Sequence, residues 1–151
     1  MKWTLILSSI VLVGTFNIRA ADPKTPAERQ AVRERNEKIA TRADIDHRIQ
    51  TINALDNKES AKMAGYQAVS KETAVPLTDV QAEHKQHPKL GIAGLFVAHE
   101  IATHTHKPVD GLIKQRESGK TWNQIATAAG MDLGEIDAKL GRIESAMQAA
   151  K

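Results

Sequence analysis

Histidine is the residue type whose spacing in this chain first points to chemistry. Five of the six histidines fall between residues 83 and 106, together with Glu83 and Glu100. Imidazole nitrogens and carboxylates are common ligands of divalent transition metals. The cluster therefore predicts a candidate site for Zn, Cu or Ni, formed by His99, His104, His106, His84 and His87.

The geometry of a regular helix limits how these histidines can share an ion. In the His-Glu-x-x-His motif of zinc proteases, the two histidines are four residues apart, about 40° around a helix. His99 and His104 are five residues apart, which is about 140° around a helix. We therefore expect His104 and His106 to chelate at a helix end, with His84 or His87 as a third ligand. The alternative is that these are polar residues at helix ends, where cationic side chains are favoured.

Nucleophilic catalysis finds no support in the sequence. The chain has no cysteine and no Gly-x-Ser-x-Gly sequence, so thiol and nucleophile-elbow chemistry are both excluded. Residues 118–121, Ser-Gly-Lys-Thr, end like a phosphate-binding loop, but the earlier glycine of such a loop is missing. We therefore predict no enzymatic activity and no cofactor other than the candidate metal.

The first twenty residues have the order of a cleavable secretory leader. Lys2 supplies a positive charge, residues 5–13 are apolar apart from two serines, and the small residues Ala20 and Ala21 follow. The apolar run is shorter than the roughly 20 residues that a spanning helix needs. We predict a signal peptide over residues 1–20, the alternative being an uncleaved anchor. The mature protein is then expected to be periplasmic or secreted, without stable membrane insertion.

The charge of the mature chain gives no reason to expect a polyanionic partner. The sequence has 21 basic and 18 acidic residues, and the leader contains Lys2 and Arg19 but no acid, which leaves a net charge of +1. A nearly neutral protein is not steered toward nucleic acid or anionic lipid. We therefore expect no nucleic-acid partner.

Composition and periodicity predict an all-α protein. No stretch alternates apolar and polar residues in the way that β-strands do. We expect a flexible mature N-terminus over residues 21–30 and a single helical domain over residues 31–150. Residues 27–56 lack Pro and Gly, which predicts one long helix or two, broken near Thr41. The predicted core consists of residues at helical spacing: Ile49, Ile52, Val69, Val80, Leu95, Phe96, Ile101, Leu112, Trp122, Ile125, Leu133, Ile136 and Leu140.

Three later segments share a pattern of apolar residues around a helix breaker, at Pro76, Pro108 and Gly130. Proline fits the first turn of a helix, and glycine fits the left-handed residue that ends one. Thr121 and Asp132 have the spacing of capping boxes, which predicts helix starts there. The architecture expected is an N-terminal helical segment plus three short helix-turn-helix hairpins, related as a divergent internal repeat.

The third hairpin resembles the helix-turn-helix of the sigma-factor region that reads promoter elements. The resemblance rests on Ile125, Ala126, Gly130, Leu133, Ile136, Leu140 and Ile143. It implies that the second helix enters the major groove with its first residues against the bases. Those positions hold Asp132, Glu135 and Asp137, which would repel phosphates. We therefore interpret the motif as helix packing.

Residues 69–143 resemble small exported bacterial helical proteins of unknown function. The resemblance rests on Val69-Ser70-Lys71-Glu72-Thr73, Val75-Pro76, Leu90-Gly91 and the Gly119-Lys120-Thr121-Trp122 segment with Ile125-Ala126. It implies export and no particular activity. The function expected is a non-catalytic binding or interaction module of the bacterial envelope, whose partner is an unknown envelope protein or small ligand. The alternatives are a periplasmic transition-metal-binding protein that uses the histidine cluster, and helix-turn-helix DNA binding.

Overall fold

Eight α-helices make up the part of the chain that the structure, a computed structural model, describes: residues 25–40 and 44–150, with backbone alone for residues 36–40. They are α1 (Pro26–Ala40), α2 (Ile45–Asn53), α3 (Glu59–Thr73), α4 (Leu77–Gln86), α5 (Gly91–Thr105), α6 (Val109–Glu117), α7 (Trp122–Ala128) and α8 (Leu133–Ala149). These residues form no strand, so the predicted all-α class is confirmed. The predicted signal peptide lies outside them.

The N-terminal helical segment consists of two helices rather than one. α1 ends at Ala40, close to the predicted break at Thr41, and α2 begins at Ile45. Asp44 caps α2, because its side chain accepts a hydrogen bond from the His47 backbone N–H.

α1 begins at Pro26, inside the segment that we expected to be flexible. Thr25 and Glu28 form a capping box: the Glu28 N–H donates to the Thr25 hydroxyl at 3.2 Å, and the Thr25 N–H donates to the Glu28 carboxylate at 2.8 Å. Proline is favoured as the first residue of a helix, where no N–H is needed. These local signals explain why the helix starts before residue 31.

α5 is the central helix of the fold. Residues 91–99 are all buried, because α2, α3, α4, α6 and α8 pack around this helix. All thirteen residues that the sequence predicts as core are buried, so that prediction is confirmed. The core also includes residues that it omitted, among them Ile45, Ile92, Val97, Ile143 and Met147.

The three predicted hairpins share one turn. In each, a residue with a left-handed backbone lies one or two positions after the first helix: Ala74 (φ 59°), His106 (φ 54°) and Gly130 (φ 76°). Two residues follow, and the next helix begins at the third. The Lys107 N–H donates to the Ala102 carbonyl, and the Met131 N–H to the Ala126 carbonyl, as in the Schellman helix ending.

Burial also repeats around these turns. The residues eight and five before the left-handed residue, and six after it, are buried in all three hairpins: Tyr66, Val69 and Val80; Ala98, Ile101 and Leu112; Trp122, Ile125 and Ile136. The junction between α6 and α7 has the same turn at Gly119 (φ 97°), but Gly111 and Lys114, at the first two of these positions, are exposed. The shared burial, more than the turn itself, supports an internal repeat.

Helix packing does not follow the hairpins. α3 packs most extensively against α8, and then against α5, rather than against its hairpin partner α4. Gly65 lies at this crossing, where an added Cβ would be 3.0 Å from Met147 Sδ and 3.1 Å from Ile92 Cδ1. The hairpin pattern therefore describes the turns, whereas the core is formed by contacts between distant helices.

Candidate functional site

The five histidines predicted as metal ligands lie in two kinds of place. His84 on α4 and His99 on α5 are inside the protein, with 12 % and 8 % of their side chains exposed. His104 lies in the last turn of α5, while His87 and His106 are the residues that follow α4 and α5. The two buried histidines are the ones that helix packing holds in place.

His99 contacts Glu83 across the interface between α5 and α4. Its Nε2 atom is 2.5 Å from Glu83 Oε2, and Glu83 keeps 31 % of its side chain exposed. A buried imidazole needs a hydrogen-bond partner, and a carboxylate is among the stronger ones. Glu83 thus satisfies His99 while it remains in contact with water.

His84 lies between Tyr66 and Asp56. Its Nδ1 atom is 2.6 Å from the Tyr66 hydroxyl, and the two rings meet edge to face. Its Nε2 atom is 3.8 Å from Asp56 Oδ2, too far for a hydrogen bond. The other carboxylate oxygen, Asp56 Oδ1, is buried without a hydrogen-bond partner, and Lys62 Nζ lies 3.8 Å away. The cluster thus contains the Tyr66 hydroxyl, the His84 imidazole and the Asp56 carboxylate in a row, which is the order of nucleophile, base and carboxylate in nucleophilic catalysis.

Burial, however, pushes these groups toward their uncharged forms. Desolvation raises the pKa of Asp56 above its usual 3.8, against the opposing effects of Lys62 and His84. Desolvation also lowers the pKa of His84 below 6.5, against the opposing effect of Asp56. The pKa of Tyr66 rises through burial and then through Asp56. The raised pKa keeps the Tyr66 hydroxyl protonated at neutral pH, where it serves as a hydrogen-bonding group against His84 Nδ1.

The structure does not assemble the predicted metal site. No three His, Cys, Asp or Glu side chains among the described residues are grouped so that they could hold an ion. His84 and His99 contact Tyr66 and Glu83 instead, and the remaining three histidines lie at helix ends. The five predicted ligands thus lie apart in the described part of the chain, and metal binding by them stays a prediction.

The spacing of apolar residues in the sequence indicates that the partners of His84 and His99 face inward. Glu83 and His84 follow the core residue Val80 by three and four positions, which places all three on one face of a helix. Tyr66 precedes Val69 by three positions on α3. Spacing therefore predicts that Glu83, His84 and Tyr66 point inward, but it does not predict which of them meet.

The helix-turn-helix formed by α7 and α8 is part of the core packing. Both helices start where the capping residues predict, after Thr121 and Asp132. α8 corresponds in position to the recognition helix of such a motif. Helices α1, α2, α3 and α5 pack against it. Its two basic residues are paired, Lys139 with Glu100 at 2.5 Å and Arg142 with Glu72 at 2.7 Å. This arrangement favours the interpretation of the motif as helix packing.

Other charged side chains also connect helices that are distant in sequence. The Asp46 carboxylate accepts hydrogen bonds from the backbone N–H groups of Trp122 and Asn123, so α2 caps the start of α7. The Arg48 guanidinium reaches Asp137 at 3.0 Å and Glu144 at 2.9 Å on α8. These contacts position α2 against α7 and α8.

A shallow groove of about 290 Å³ lies between α3 and α8. Alanines of both helices line it together with polar residues: Ala64, Ala68, Ala146, Gln67, Lys71, Glu72 and Arg142. Two hydrogen bonds, of 2.8 and 2.7 Å, join the Arg142 guanidinium to the Glu72 carboxylate. The groove is small for a ligand pocket, and its one strong ion pair is already complete.

We expect replacement of Arg142 by Met to lower the free energy of unfolding by about 0.5–1 kcal/mol at pH 7, since Arg142 is largely exposed. The hydrogen bonds from Arg142 hold the pKa of Glu72 below its usual 4.5. The stabilisation is therefore complete above about pH 4.5 and is lost as the pH falls through the folded-state pKa. Urea unfolding at pH 7 and pH 3.5 measures the difference. Lys114→Met, at an exposed position of α6, is the control. A loss of stability in Arg142→Met that is the same at both pH values would contradict the pairing of Arg142 with Glu72.

None of the helices in the described part of the chain is both long and apolar enough to cross a bilayer. Comparison of the sequence and structure with protein-family models, curated proteins and solved structures finds no match. The fold and the contacts above are therefore what bears on function.

Proposed function

We propose that this protein is an exported, non-catalytic binding or interaction module of the bacterial envelope. The observation that supports the non-catalytic part is the placement of its titratable groups. On α4, Glu83 contacts His99 of α5 and His84 contacts Tyr66 of α3, so these groups are used in the packing between helices. The leader sequence, Lys2 followed by an apolar run and Ala20-Ala21, supports export.

The charged side chains that join the helices also fit a binding function. Arg48, Arg142 and Lys139 each join helices through carboxylates, so ion pairs connect α8 to α2, α3 and α5. A rigid helical scaffold presents its exposed faces in fixed positions, which lowers the entropy lost on association. The partner is expected to be another envelope protein or a small ligand.

Intact mass and N-terminal sequencing of the protein from an envelope fraction test export. We expect a mature chain that begins at Ala21, since cleavage is predicted after Ala20. Recovery of the protein in the cytoplasm with Met1 attached would contradict export and would restore nucleic acid as a candidate partner. A turnover that disappears in His84→Asn or His99→Gln would contradict the non-catalytic part.

Photo-crosslinking in cells tests binding. A benzoyl-phenylalanine is placed at exposed positions on three different helices, Arg33 on α1, Gln67 on α3 and Lys114 on α6. Because a specific partner contacts one face, we expect an adduct of one discrete mass from one of these positions, competed by excess purified protein. The other two positions serve as controls. Absence of a discrete adduct at all three, or equal adducts at each, would contradict the proposal.

A further inference from the structure

α4 is attached to the rest of the fold by little apolar surface. Val80 is the one fully buried residue of its ten, and the half-buried Leu77 packs beside it. α5, by contrast, buries eleven of its fifteen residues. α4 contacts α3 and α5, so it closes over one side of the core. Hydrophobic burial therefore stabilises the docked position of α4 less than that of its neighbours.

The remaining docking contacts of α4 are polar and partly unfavourable. His84 is buried against Tyr66, and Glu83 contacts His99. Asp56 Oδ1, beside His84, is buried without a hydrogen-bond partner. Lys62 Nζ, 3.8 Å from this oxygen, is too far away to hydrogen-bond with it. The burial of the oxygen therefore opposes docking, because water satisfies it once the interface opens. Burial also disfavours the charged forms of Asp56 and His84, whose pKa values it raises and lowers respectively.

Short non-helical segments join α4 to its neighbours, residues 74–76 before the helix and residues 87–90 after it. Ala74, in the first of these, has a left-handed conformation, with φ of 59°. Ala74 is strained there, since a residue with a Cβ avoids this region. α4 has no side-chain N-cap, and its short link to α3 is held by a hydrogen bond from the Ser70 hydroxyl to the Val75 carbonyl, at 2.6 Å. The helix can thus leave as a unit while α3 and α5 stay intact.

We propose that α4 is a lid that opens locally, between Ala74 and the loop of residues 87–90, while α3, α5 and α8 remain packed. Opening uncovers the sides of α3 and α5 that Val80, Glu83 and His84 cover, including Tyr66 and His99. Proteins commonly draw their mobile elements from the least stable units of the fold. This inference concerns the fold in isolation and does not depend on the proposed function.

Native-state hydrogen exchange of the full chain at pH 7, followed by mass spectrometry, tests the lid. We expect the amides of residues 81–86 to be protected at least about 100-fold less than those in the middle of α5 and α8. Equal protection of α4 and α8 would show that α4 opens only with the whole protein and would overturn the proposal. This readout requires no variant.

Two substitutions extend the test. Val80→Ala removes the buried anchor, and we expect it to lower the protection of α4 about tenfold while α8 is unchanged. Asp56→Asn removes the buried charge, and we expect it to raise the protection of α4 alone. Ile136→Val is the matched control, because Ile136 holds the equivalent repeat position on α8. It should lower protection in every helix equally. A uniform loss in Val80→Ala, or a loss in Asp56→Asn, would contradict the lid.

Discussion

Replacement of Trp122 by Ala is expected to lower the free energy of unfolding by about 3–5 kcal/mol, the usual cost of removing a large buried ring. Trp122 is 1 % exposed, and its Nε1 lies 3.6 Å from where a Cβ on Gly94 would be, so the indole packs directly against central α5. The substitution leaves a cavity between α7 and α5 that the surrounding helices can only partly fill. Urea unfolding followed by far-ultraviolet circular dichroism measures the loss.

Two variants separate the cavity from other effects of this substitution. Trp122→Phe keeps an aromatic ring and should cost less than half as much, since less volume is lost. Lys114→Ala, at an exposed position of α6, should change the free energy of unfolding by less than about 0.5 kcal/mol. The backbone N–H of Trp122 still donates to Asp46 in both Trp122 variants, so the capping of α7 is retained. A loss below about 1 kcal/mol for Trp122→Ala would show that the ring is not part of the core.

The elements of this fold were predictable where the signal was local. Thr121 and Asp132 start helices because each cap acts within three residues. Helices also begin directly after Pro76 and Pro108, whose rings fix φ, and Gly130 permits the left-handed conformation that follows α7. Helical periodicity also identified core positions, since burial follows the spacing of apolar residues. The start of α1 at Pro26 lies one residue before the helical stretch predicted over residues 27–56, and its capping signal, Thr25 with Glu28, is equally local.

The partners within the candidate site were not predictable from spacing. His99 meets Glu83, and His84 meets Tyr66, because α4 packs between α3 and α5. No periodicity specifies that packing, and a cluster of histidines in sequence equally suggested a metal site. The same limit applies to Asp46, which caps a helix 76 residues later in the chain. For a side chain that connects distant helices, the sequence shows its chemical type, but only the fold determines its partner.

Gly91 illustrates this limit, and its replacement by Ala is expected to lower the free energy of unfolding by about 2–4 kcal/mol. The structure makes Gly91 the first residue of α5, with φ of 66°. A Cβ there would lie 2.2 Å from the side-chain amide of Asn53. That amide donates to the Leu90 carbonyl at 2.9 Å and accepts from the Ala93 N–H at 3.0 Å. Alanine therefore adds backbone strain and also displaces the residue that caps α5.

A double-mutant cycle distinguishes these two contributions. In an Asn53→Ala background the cap is already absent, so Gly91→Ala should cost only the strain of a left-handed alanine, about 1–2 kcal/mol. Gly111→Ala is the control, because Gly111 is exposed within α6 with nothing within 4 Å of an added Cβ. It should stabilise the protein by about 0.5–1 kcal/mol, as alanine does inside a helix. Equal costs of Gly91→Ala in both backgrounds would show that Asn53 and Gly91 act independently, contrary to their contact at the start of α5.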